Sequence, residues 1–69
     1  MRAIKYKYAV ALNLSVVENT DGCIYSAVEQ SKDIAEGLDI QVCLTNPFNG
    51  KSATFFGYED VNEIFNRLK

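Results

Sequence analysis

From Ile4 to Val16 every even-numbered position is apolar: Ile4, Tyr6, Tyr8, Val10, Leu12, Leu14 and Val16. Lys5, Lys7, Asn13 and Ser15 occupy odd positions among small residues. Successive side chains of an extended chain point to opposite faces, so a period of two with aromatic and β-branched residues predicts a strand with one covered face. The run is long for a single strand, and a bend or bulge is expected near Asn13.

What covers that face depends on the next segment, TDGCIYSAVEQSKDIAEG, residues 20 to 37. If Asp21-Gly22 were a hairpin turn, the chain would return as a strand and the order would be ββββα. Alternation fails, however, at Glu29-Gln30-Ser31-Lys32-Asp33. On a helix, Ile24, Ala27, Val28, Ile34, Ala35 and Leu38 share one face, interrupted by Ser31 alone. Ser26-Ala27-Val28-Glu29 matches the S-x-x-E capping box, and Gly37 sits where helices commonly end in a left-handed residue. These signals predict a helix from about Ala27 to Glu36.

Alternation resumes from Asp39 to Thr45, with Ile40, Val42 and Leu44 on one side. Asn46-Pro47-Phe48-Asn49-Gly50 is turn chemistry, and Ser52 to Gly57 reads as the returning hairpin strand. Val61, Ile64, Phe65 and Leu68 then follow a helical spacing, with Glu59 and Asp60 before them and Arg67 and Lys69 after, as the helix dipole prefers. The expected class is α+β: a small antiparallel sheet with two helices on one face, in the order β-α-β-β-α. With no repeat or linker, residues 1–69 form one domain, near the lower size limit for a fold held by a hydrophobic core alone.

Composition narrows the function classes. The 48% hydrophobic share, 23% charged residues and net charge of −2 describe a globular chain. No apolar run is long enough for a bilayer span and no signal-peptide pattern opens the chain, so a cytoplasmic location is expected. There are two cysteines and no histidine. Cys23 and Cys43 read as reduced, largely buried thiols, and one chain lacks the ligands for an ordinary zinc site. Neither a serine nor a cysteine nucleophile has a histidine to activate it, so the chain reads as a non-enzyme without cofactor or metal.

Three motifs invite chemistry. TNPFNGKS, residues 45 to 52, ends like a phosphate-binding loop, but Thr45 stands where the first glycine belongs and a strand rather than a helix is expected to follow. Asn46-Pro47-Phe48 spells a short trafficking peptide, but a tight turn with Phe48 folded onto the sheet is the favoured reading; a protruding Phe48 would be an aromatic binding anchor. Lys5 and Lys7 beside Tyr6 and Tyr8 suggest a nucleic-acid platform, yet alternation puts tyrosines and lysines on opposite faces and the acidic total opposes phosphate.

Charge is unevenly spread. Residues 1 to 17 hold Arg2, Lys5 and Lys7 and no acid, whereas residues 18 to 39 hold Glu18, Asp21, Glu29, Asp33, Glu36 and Asp39 against Lys32. Glu29, Asp33 and Glu36 are spaced i, i+4, i+7, one stripe of the predicted helix. An ordinary solvated face is the plain reading. The functional one is an anionic surface that docks on the basic surface of a protein or ribonucleoprotein complex. Homodimerisation through the sheet edge is a third possibility.

The stretches IKYKYAVALN, VVEN, SAVE and NGKSATFFGYEDVNEIFNRL resemble segments of small phage-encoded anti-CRISPR proteins that inhibit type I surveillance complexes. The resemblance covers about half the chain by short matches, needs an insertion around residues 30 to 45 and favours a strand at Cys23 to Glu29. It implies a non-catalytic inhibitor that occupies its target's backbone subunit. Tyr6 and Glu29 match contact positions of that family, while its second contact tyrosine falls at Val17. The β-α-β-β-α order is also similar to that of small regulators of the SOS response. Those carry an acidic final helix, where this chain ends NRLK.

Overall fold

The computed structural model describes residues 11–69. Its elements are β1 (Leu12–Ser15), α1 (Asp21–Leu38), β2 (Val42–Asn46), β3 (Lys51–Phe55) and α2 (Val61–Leu68), the expected β-α-β-β-α order. The part of the alternating run before Ala11, including Tyr6, Lys5 and Lys7, lies outside the described residues. Between Leu12 and Ser15 the ladder pairs residue for residue with Val42 to Thr45, so the bulge expected near Asn13 is absent there.

The sheet has the order β1-β2-β3 and is mixed rather than antiparallel, as β1 runs parallel to β2 and β2 antiparallel to β3. The length of α1 explains the difference. Eighteen residues at about 1.5 Å each carry the chain some ~27 Å, back past the start of β1, so the next strand begins beside that start and runs the same way. Among the described strands, β2 and β3 are the pair joined by a hairpin.

Helix α1 is longer at both ends than its sequence signals predict. The cap is Thr20, whose Oγ1 accepts a hydrogen bond from the Cys23 amide at 3.1 Å with extended backbone angles. Ser26 lies within the helix instead, its hydroxyl oxygen accepting from Gln30 Nε2 at 3.1 Å. Gly37 remains helical, and the left-handed position falls two residues later on Asp39, at φ 56°. An aspartate tolerates that region better than most side chains. The second helix is capped by Asp60, whose carboxylate accepts from the Glu63 amide at 3.1 Å.

Directly paired residues share a face, so Val42, Leu44, Asn46, Ala53 and Phe55 point one way and Cys43, Thr45, Ser52 and Thr54 the other. The first set is buried and joins Ile24, Val28 and Ala35 of α1 and Ile64 and Leu68 of α2 in one core. Both helices therefore cover one face. They run antiparallel to each other: Tyr25 and Phe65 pack edge to face with ring centres 5.5 Å apart, while Glu36 abuts Gly57 at the opposite end. A Cβ on Gly57 would sit 2.6 Å from Glu36 Cα, so a glycine is required for the connection before α2 to touch the α1 backbone.

Asn46 is buried at 0% exposure among apolar neighbours, yet both polar atoms of its side-chain amide are hydrogen-bonded. Nδ2 donates to the Leu68 carbonyl at 3.0 Å and to Asn19 Oδ1 at 3.3 Å, and Oδ1 accepts from the Phe48 amide at 3.1 Å. Asn49 Nδ2 also donates to Leu68 at 2.9 Å, and Lys51 Nζ reaches the Lys69 carbonyl at 2.9 Å. The turn between β2 and β3 thus supplies partners for carbonyls that the end of α2 leaves free.

Thr20→Ala should lower unfolding free energy by about 1 kcal/mol while Ser26→Ala changes it by less than ~0.5 kcal/mol, measured by urea denaturation. Equal losses would put the cap elsewhere. In the same assay Asn46→Ala should cost about 1–3 kcal/mol, because the Phe48 amide and a shared α2 carbonyl lose a buried partner.

Candidate functional site

The carboxylates of Glu29, Asp33 and Glu36 all lie on the solvent side of α1, and all three residues are exposed. At 3.6 residues per turn they fall within an arc of roughly 60°. Ile24, Val28, Ser31 and Ala35 bury the opposite side. Ser31, the one polar interruption of the apolar stripe, is itself only 2% exposed and belongs to the buried face that the apolar residues mark.

None of the three carboxylates forms an ion pair or side-chain hydrogen bond with another described residue. The described salt bridge lies elsewhere, between Arg67 and Glu59 at 3.4 Å, and Glu59 also accepts from the Phe56 amide at 2.9 Å. Glu59 and Asp60 are thereby engaged in starting α2, whereas the α1 stripe has no internal use for its charge. Like charges four apart on a helix repel by about 0.2–0.5 kcal/mol.

An open groove of about 410 Å³ adjoins the stripe, lined by Ser26, Glu29, Gln30, Lys32 and Asp33 of α1 and by Val61 at the start of α2. It joins two carboxylates, a hydroxyl, an amide and one ammonium to an apolar side chain. That set suits electrostatic recognition of a basic side chain, with Val61 against the methylene stem. Glu36 lies one turn beyond, its backbone fixed against Gly57 while its side chain stays exposed.

The other sequence features are placed as follows. Tyr6, the fourth expected contact residue, is outside the described residues, as are Lys5 and Lys7. The open sheet face bears Asn13, Ser15, Cys43, Thr45, Ser52 and Thr54, so no charge or aromatic ring stands on its described strands. Lys51 opens a strand and not a helix, in agreement with a hairpin instead of a phosphate loop. Phe48 does not fold onto the sheet as expected but is 54% exposed, and it is Asn46 that turns inward. Cys23 and Cys43 are unpaired and half-buried, less enclosed than expected.

Sequence reasoning missed the roles of Asn46 and Asn49. Their available signal was two amides in a turn placed before a final helix with no glycine to end it. Among the described residues no helix is long and apolar enough to cross a membrane, and no cluster of three or more acid or thiol side chains is placed to hold a metal. Comparison with protein families, characterised proteins and solved structures gives no match.

Because the stripe's carboxylates have no described polar partner, Glu29→Gln, Asp33→Asn and Glu36→Gln should each leave stability within about 0.5 kcal/mol of the parent, with any change upward. Thermal denaturation at low salt measures this. A loss above ~1 kcal/mol would give that carboxylate a structural role.

Proposed function

We propose that this chain is a small non-catalytic protein-binding inhibitor that presents the acidic face of α1 to a basic surface of a nucleic-acid-handling complex. The observation that carries the reading is the set of three exposed carboxylates without internal partners beside the α1–α2 groove. Anionic surfaces of this kind steer association with Lys/Arg-rich partners and set orientation on docking. The work is stoichiometric: the chain occupies a surface and transforms nothing.

The particular target in this proposal is a type I CRISPR surveillance complex in the cytoplasm of a phage-infected cell. The short sequence matches spread over about half the chain support it, together with the exposure of Glu29, which matches the acidic contact position of that family. Against it stands the helix at Asp21–Leu38, where the resemblance favours a strand. The general reading, docking on a basic surface, does not depend on that target.

The test is capture of a purified type I complex by the parent chain and by the triple variant E29K/D33K/E36K. The variant should keep the parent's circular dichroism and lose about 100-fold or more in affinity, and parent binding should weaken as salt rises. Undiminished capture by the variant removes the acidic face from the mechanism. Gel-shift of single-stranded nucleic acid that fades steeply with salt would instead favour a nucleic-acid-binding protein.

A further inference from the structure

A second surface lies at the end of the sheet where β1 and β2, being parallel, both finish. The turn there is held from inside: the Phe48 amide donates to Asn46 Oδ1 at 3.1 Å, the Lys51 amide to Asn49 Oδ1 at 2.9 Å, and the Gly50 amide to the Asn46 carbonyl at 2.9 Å. Pro47 fixes a further torsion, and Gly50 takes a positive φ of 78°. The polar groups of the turn face inward, yet Phe48 remains 54% exposed. Val17, at 79% exposure, stands on the neighbouring loop. That loop is anchored to the same place by the Val16 amide on the Thr45 carbonyl at 3.0 Å and by Asn19 on Asn46. One buried asparagine thus holds two large apolar side chains in water. A rigid support for an aromatic side chain lowers the entropic cost of docking it.

Charge across this end is sorted by strand order. Glu18, exposed and without a described partner, follows β1, and Asp21 opens α1 behind it. On the other side Lys51, exposed, opens β3, its ammonium donating to the Lys69 carbonyl at 2.9 Å. The surface reads acid, apolar, base. Such a pattern is complementary to itself under a two-fold rotation, which is what an isologous dimer requires.

We propose that this end of the sheet is a self-association surface. The occupant is a second copy of the chain, with Phe48 of each copy against Val17 of the other and Glu18 facing Lys51 of the second copy. The acidic face of α1 takes no part and remains free. Two apolar anchors per copy make a small interface, so the dimer is weak and reversible.

Sedimentation velocity on the full chain, from micromolar to millimolar concentration, tests it. A concentration-dependent monomer–dimer equilibrium is expected. Phe48→Ser and Val17→Ser should each raise the dissociation constant, Phe48→Ser by about tenfold or more, with unchanged circular dichroism. Glu18→Lys and Lys51→Glu should each weaken the dimer, and the combined exchange E18K/K51E should restore it. A chain that stays monomeric throughout, a dimer indifferent to Phe48→Ser, or a double exchange without recovery overturns the proposal. So does Phe48-dependent capture of a different protein by a monomeric chain.

Discussion

The buried amide of Asn46 is the contact on which the arrangement of this fold depends. It sits at the end of the central strand and reaches, within hydrogen-bond distance, the last turn of α2, the loop that leads into α1 and the hairpin turn. An amide placed among apolar side chains carries a large desolvation cost, and only a complete set of partners offsets it. Those partners exist together only when both helices and the turn are in place. Apolar packing alone would tolerate several placements of a short helix on a small sheet, because burial is not directional. The amide selects one of them.

That selection reaches the acidic face through the helix pair. With the C-terminal end of α2 tied to Asn46 and Asn49, its N-terminal end lies where Gly57 meets the backbone of Glu36. Between these two fastenings Tyr25 packs edge-on to Phe65, and Lys69 lies over the Phe65 ring at 5.2 Å from its centre. The rotation of α1 about its own axis is then settled. Glu29, Asp33 and Glu36 point to solvent along one line, and Val61 completes the adjoining groove. The same amide leaves Phe48 and Val17 outside. A single buried polar group thus orders both surfaces proposed for binding, which lie on different parts of the molecule.

Much of this was legible along the chain, and the misses have local causes. The helical phase of residues 24 to 38 was readable because a period of 3.6 places Ile24, Val28 and Ala35 together whatever the tertiary context. The phase also put the three carboxylates on one stripe. The helix start was misread because Ser26-x-x-Glu29 and Thr20-x-x-Cys23 both offer a hydroxyl three residues before an amide. Local pattern alone favours the one with a glutamate. The real cap lies six residues earlier, where Ile24 still has a core to enter. Gly37 likewise offered an end that the helix did not need, since Leu38 and Asp39 could continue and close it. A tight turn with Phe48 folded onto the sheet is the plain expectation for Asn46-Pro47-Phe48, whereas the turn residue that is buried is Asn46.

By itself the sequence determined which segments coil and which extend, which side of each is apolar, and that Glu29, Asp33 and Glu36 share one helical stripe. These follow from side-chain period and backbone preference, which act over a few residues. Strand direction, the parallel pairing of β1 with β2 and the capping of α2 by asparagines about twenty residues away were decided by the tertiary structure alone. They arise from distances that close only when the elements meet: a long helix that returns the chain to its starting edge, and a buried amide with its partners on three separate segments.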